Sequence, residues 1–183
     1  MNNKDILVIG IPKSGTNACV KACRLLGLNP SEHMHTSNYH LSEDNRVAYV
    51  YRNPRNVLIS ALRYRNHQRR NWEDTITEEK LIEVFFDFFN AGLPAVYQSY
   101  LPWLSTTACS FKFEDMIADK KVMCKIADYM DVPHPSCDTF AKLWGDTPTF
   151  TGELSDWSQY WTSGLDKIWV EEGMNAIEME FGY

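Results

Sequence analysis

An apolar run, Ile6-Leu7-Val8-Ile9, delivers the chain into Gly10-Ile11-Pro12-Lys13-Ser14-Gly15-Thr16-Asn17. A buried strand that turns through Gly, Ser and Thr into a helix is how α/β proteins build a phosphate cradle. The first helical N–H groups have no carbonyl partner and point at an anion placed there. Gly10 and Gly15 keep the glycine spacing of a Walker A loop, G-x-x-x-x-G-K-[ST]. Thr16, however, stands where that motif puts its lysine, and the loop's own lysine, Lys13, comes two residues before Gly15. An ordinary ATPase loop therefore fits poorly. The backbone of Gly15, Thr16 and Asn17 still suits an anion, with Lys13 on the turn beside it. Taken alone, the loop also fits a plain strand-to-helix turn that Gly15 bends and Thr16 caps.

The pattern beyond the loop repeats strand and helix. Thr16 to Leu26 reads as a helix stopped at Gly27, and Arg46 to Tyr51 as a second buried strand. Asn53 can cap a helix that has Pro54 first and runs to about the Arg69-Arg70 pair. Thr77 opens another helix, ending near Gly92, with Leu81, Val84, Phe85, Phe88 and Phe89 expected in the core. Ala108 to Phe113 reads as a third inner strand. Asp115 to Met130 reads as one helix with Ile117, Ile126, Ala127 and Met130 inward, ended by Pro133 and Pro135. Two further helices are expected around Phe140 to Trp144 and Leu165 to Phe181. The alternation predicts an α/β fold: a small parallel β-sheet flanked by helices on both faces, residues 1–183 forming a single domain. Ligands are expected at the carboxyl ends of the strands, where both loops of interest fall.

A net charge of −6 argues against nucleic acid or a general anionic membrane as a partner, so an anion must be gripped by individually placed Lys and Arg. No leader pattern opens the chain and no apolar run approaches the length of a membrane span, which leads us to expect a cytoplasmic protein. Cys19, Cys23, Cys109, Cys124 and Cys137 are odd in number and form no C-x-x-C pair, so reduced and mostly buried thiols are expected.

The second loop, Tyr51-Arg52-Asn53-Pro54-Arg55-Asn56-Val57-Leu58-Ile59-Ser60, puts Arg52 at a strand end and Ser60 about two turns into the next helix. An arginine there can fork onto a phosphate or pair with a local carboxylate. Together the two loops resemble the sulfotransferase family that takes 3′-phosphoadenosine 5′-phosphosulfate (PAPS) as donor, through Pro12-Lys13-Ser14-Gly15-Thr16-Asn17 and Arg52-Asn53-Pro54-Arg55-Asn56-Val57 with Ser60. Phe111-Lys112-Phe113-Glu114-Asp115-Met116 is similar to the family's [YF]-E-D-[ML] strand end. Thr151-Gly152, Asp156-Trp157 and Phe181-Gly182-Tyr183 are similar to its closing segment.

The resemblance implies a P-loop-like sulfotransferase fold. It implies that Lys13, Ser14, Gly15, Thr16 and Asn17 hold the 5′-phosphosulfate, that Arg52 and Ser60 hold the 3′-phosphate, that Phe113 lies near the adenine, and that Gly152 offers its backbone. The implied reaction moves a sulfuryl group in line to a hydroxyl or amine of a carbohydrate or small molecule and releases adenosine 3′,5′-bisphosphate (PAP), with no metal. Lys13 would neutralise the oxygen that gains charge as the S–O bond breaks.

For the base, Glu32-His33-Met34-His35-Thr36 alternates as a strand would, placing His33 and His35 on one face. Family members carry a lysine-x-histidine here. His35 takes the histidine position and is the expected general base, His33 stands in place of the lysine, and Glu32 is the reserve. Metal ligation by His33, His35 and His40, or a plain polar edge strand, are the other readings of this segment.

Two departures from the family stand out. Phe150-Thr151 replace the Arg-Lys pair before Gly152, with Arg63 the candidate substitute, and Ala18 replaces a tryptophan. The basic run from Arg63 to Arg70 reads as a solvated helix end. A P-loop kinase and a non-catalytic nucleotide-binding module are the competing functions, the kinase opposed by the displaced lysine.

Overall fold

The computed structural model describes residues 4–68, 75–144 and 156–183. In chain order its elements are β1 (Asp5–Gly10), α1 (Thr16–Leu25), β2 (Asn29–Pro30), α2 (Leu41–Asp44), β3 (Val47–Tyr51), α3 (Pro54–Gln68), α4 (Glu78–Asp87) and α5 (Leu93–Tyr100), followed by β4 (Cys109–Lys112), α6 (Phe113–Ala118), α7 (Lys121–Met130), α8 (Cys137–Ala141), α9 (Ser163–Glu171) and α10 (Met174–Glu180). Contacts cluster into two compact units. Met1–Arg52 with Pro102–Leu154 holds all four strands, and Asn53–Leu101 with Ser155–Tyr183 is helical.

The sheet is parallel throughout, in the order β2-β1-β3-β4, with Leu7 opposite Val47 and Ala48 opposite Cys109. Val8, Ile9, Val47, Ala48, Tyr49 and Val50 have no exposed surface. Burial on both faces explains why the central strands read as continuous apolar runs instead of alternating. On one face Ile6, Val8, Ala48, Val50, Cys109 and Phe111 share a core with Cys19 and Cys23 of α1 and with Met123 and Ile126 of α7. On the other, Tyr49 stacks on the fully buried Trp103, with ring centroids 5.6 Å apart. Each buried Val, Ile, Met or Phe among them contributes about 1.5–3 kcal/mol of transfer free energy.

In the helical unit, Phe85 and Trp161 both pack on Trp169, and Tyr97 meets Phe181 edge-on. The N-caps follow the sequence: Thr77 accepts the N–H of Lys80, and the Asn53 side chain accepts that of Arg55.

Several elements depart from expectation for local reasons. The helix expected over Asp115 to Met130 is two helices, because Asp119 is extended and its carboxylate takes the Lys121 N–H at 2.6 Å. Gly173, with φ +72°, likewise separates α9 from α10. Phe89 leaves the core: its φ of +48° breaks the helical phase after α4, so it is 54% exposed while Leu81, Val84, Phe85 and Phe88 are buried. Gly92, with φ +80°, opens a helix, α5, that the sequence reading lacked. Phe113 begins α6 instead of ending β4, and Arg69-Arg70 lie outside the described residues. All five thiols are free; Cys19, Cys23 and Cys109 are buried and Cys137 is exposed. Among the described residues no helix is long and apolar enough to cross a membrane.

Candidate active site

The loop after β1 is shaped by what will not fit. A β-carbon on Gly10 would lie 2.6 Å from the Val50 carbonyl oxygen and 2.8 Å from Ser14 Oγ, so only glycine lets the chain leave the strand here. Ser14, fully buried, donates its hydroxyl to the Val50 carbonyl at 2.9 Å and its N–H to Ile11. That hydroxyl fastens the loop to β3. Lys13 (φ +68°) and Gly15 (φ +95°) flank Ser14 in the left-handed region. A non-glycine residue held there costs on the order of 1 kcal/mol, and such strain concentrates where backbone groups are aimed at a ligand. Gly15 is the N-cap of α1 and supplies no side-chain cap; Thr16 is the first helical residue. The helix N-terminus is therefore not closed by its own side chain, which is the arrangement an anion needs.

Arg52 and Phe113 come to the same loop from the ends of β3 and β4. Arg52 is 6% exposed; its guanidinium carbon lies 4.9 Å from the Phe113 ring centroid, and Nη1 is 3.5 Å from the Lys13 carbonyl oxygen. Phe113 lies directly over Gly15, in the place where a β-carbon would have to go. Lys13 is half-buried, and loss of solvent pulls its pKa down to about 8. An anion bound beside it would raise that pKa again. A buried guanidinium, a desolvated ammonium and a helix N-terminus on one loop suit a ligand with more than one phosphate-like group.

His35 reaches this loop by a different route from the expected strand. The segment after β2 meets β1 through a single parallel bridge between Ile9 and Met34, with Met34 N–H on the Val8 carbonyl and Gly10 N–H on that of Met34. His35 Nδ1 lies 2.7 Å from the Gly10 carbonyl oxygen. Because a carbonyl only accepts, Nδ1 carries the proton and the basic lone pair is on Nε2. The residue is solvent-exposed, but protein crowding one side of the ring lowers its pKa. The Gly10 carbonyl opposes that shift, and the neighbouring His33 and Lys13 add to it. His33 lies against His35 with ring centroids 5.2 Å apart.

The structure thus brings Lys13, Ser14, Gly15, Thr16, His35, Arg52 and Phe113 together. Asn17 is exposed in the first turn of α1, and Glu32 is exposed. Ser60 is half-buried on α3 in the helical unit. Gly152 lies outside the described residues. Arg63 donates to the Tyr160 hydroxyl at 3.2 Å.

Two residues escaped the sequence reading. Trp103 donates its indole N–H to the Thr36 carbonyl at 3.0 Å. Arg55, quoted above only as a motif letter, forks onto Glu178 at 3.0 and 3.2 Å and lies within 5.0 Å of the ring centroids of Trp157, Trp161 and Trp169. The tryptophans of the C-terminal segment were the signal for that cage.

Comparison with known proteins completes the picture. The sulfotransferase domain family model matches residues 27–146, more than half of the chain. That span takes in Arg52, Ser60 and Phe113 and begins downstream of the Lys13 loop. Among solved structures, mouse sulfotransferase SULT7A1 complexed with PAP is similar over 100% of this chain and 89% of that one, with a TM-score of 0.70 and 16% identity, a likeness of fold. A comparison with curated proteins returns no match. A parallel sheet with this loop and a domain match of this extent lead to one conclusion: the chain belongs to the sulfotransferase domain family.

Proposed function

We propose that the chain transfers a sulfuryl group from PAPS to a hydroxyl or amine of a carbohydrate or small-molecule acceptor, by in-line displacement and without a metal. The observation that carries this reading is the meeting of Arg52 and Lys13 on one strained loop, beside a helix N-terminus that has no side-chain cap.

The donor supplies an activated S–O bond to its 5′-phosphate. The chain's own residues supply the rest. The backbone amides of Gly15, Thr16 and Asn17 orient that phosphate, and Lys13 meets the oxygen that gains charge as the S–O bond breaks. Ser14 acts by holding the loop to β3, since its hydroxyl is already given to Val50. Arg52, charged and nearly buried, suits the 3′-phosphate, and the Phe113 ring suits the adenine face. His35 takes the acceptor's proton on Nε2 as the new bond to sulfur forms. Lys13 before Gly15, with Thr16 in the position of the Walker lysine, disfavours a nucleoside triphosphate, and the intact loop disfavours a module without turnover.

Sulfur-labelled PAPS offered with a panel of hydroxylated small molecules, amines and sugars tests the reading. Label appearing on at least one acceptor, with PAP released in equal amount, is the expected result. PAP without labelled product on any acceptor class, together with tighter binding of Mg-ATP, would overturn it.

A further inference from the structure

We infer that Trp103 is a positioning residue for His35, holding the histidine in its Nδ1–H form through the carbonyl of the adjacent Thr36; this rests on His35 being the base. The segment leading to His35 is pinned to β1 rung by rung. Ser31 N–H donates to the Ile6 carbonyl at 2.9 Å, Val8 N–H to Ser31 Oγ at 3.1 Å and Met34 N–H to the Val8 carbonyl at 2.9 Å. The ladder ends with Gly10 N–H on the Met34 carbonyl at 3.2 Å. His35 and Thr36 lie beyond it. There the Trp103 N–H donates to the Thr36 carbonyl, across 67 positions of sequence.

Trp103 is well suited to that task because it has no freedom of its own. It is fully buried, stacked on Tyr49 at an interplanar angle of 25°, and its carbonyl accepts the Thr106 hydroxyl at 2.8 Å. Tyr49 is the β3 residue opposite Ile9 in the parallel register. The sheet therefore reaches His35 twice: directly, through the Gly10 carbonyl on Nδ1, and indirectly, through Tyr49, Trp103 and Thr36. With both ends fixed, the imidazole keeps Nδ1–H on Gly10 and its lone pair on Nε2. A buried indole N–H needs some acceptor. This one takes a carbonyl next to the base, so its loss is felt in the geometry of the ring.

The test replaces Trp103 with β-(3-benzothienyl)alanine, which keeps the bicyclic shape and loses only the N–H, and separately makes Trp103→Phe. The readout is the tautomer of His35 in the free enzyme, by NMR of nitrogen-15 histidine, its signal assigned with His35→Ala. PAP affinity, as a check on the folded site, should stay within about twofold of the parent for the benzothienyl variant. We expect the parent to show the Nδ1–H form and the benzothienyl variant a mixture shifted toward Nε2–H. A parent already in the Nε2–H form, or a tautomer unmoved by both replacements, would overturn the inference. The readout does not depend on turnover. Full sulfuryl transfer by His35→Ala would remove the base reading and with it Trp103's part in catalysis, whereas an unmoved tautomer removes only the part given to Trp103.

Discussion

The Phe113 ring fills the space over Gly15 in which a β-carbon would have to sit. This contact joins the start of α6 to the loop after β1, so the loop and the aromatic ring are one packed unit. Gly15→Ala meets two obstacles, the ring and a φ of +95°. We expect it to lower stability by about 2 kcal/mol and to weaken PAP binding, measured by urea unfolding and calorimetric titration. Shrinking the ring with Phe113→Leu removes the clash but leaves the left-handed backbone, so it should restore only part of the loss.

In the proposed reaction Lys13 is the loop's charge at the breaking bond. Lys13→Met should reduce turnover about 10²–10³-fold, as loss of a preorganised electrostatic partner does elsewhere. Turnover within about threefold of the parent would leave the backbone amides carrying that load.

The pH dependence has a definite sign on both sides. His35 is the proposed base, and its pKa lies below the usual 6.5, so kcat/KM is expected to rise as pH climbs through that lowered value and His35 becomes neutral. Lys13 acts as a cation with a pKa of about 8, so kcat/KM for the donor falls as pH passes about 8 and the ammonium loses its proton. The alkaline limb should vanish in Lys13→Arg, whose charge persists. In kcat, which reports the loaded enzyme, the same limb should move to higher pH, because a bound anion favours charged Lys13.

Arg55 belongs to the fold of the helical unit. It forks onto Glu178, whose side chain is 11% exposed, inside a cage of three tryptophans, and Trp169 donates its own N–H to the same carboxylate at 3.0 Å. Arg55→Ala leaves that carboxylate without its cation and should cost about 3 kcal/mol of stability by chemical denaturation. Arg55→Lys should recover little, since an ammonium cannot make the planar fork or stack as a guanidinium does.

What the sequence disclosed follows from the range of the forces involved. The strand-to-helix turn from Gly10 to Asn17 and the cap at Asn53 with Pro54 are set by neighbouring residues and form where the sequence puts them, and the strand expected to end at Phe113 stops one residue earlier. The His33–His35 pair was legible as a pair, but the strand expected to carry it is a single bridge at Met34, because pairing there depends on Ser31 and Met34 finding β1. Phe89 looked like core because its spacing is helical, but the positive φ that removes it leaves no mark in the apolar pattern. Trp103 and Arg55 were silent because their partners lie 67 and 123 positions away, a distance over which no periodicity carries. Hydrogen bonds of that reach are settled by packing.

The central claim is that this loop was built for PAPS, and ligand-induced thermal stabilisation tests it most directly. PAP without magnesium should raise the melting temperature, and Arg52→Ala should abolish most of the rise. Mg-ATP should raise it far less. A larger rise with Mg-ATP, or a rise with PAP that Arg52→Ala leaves intact, would contradict the account.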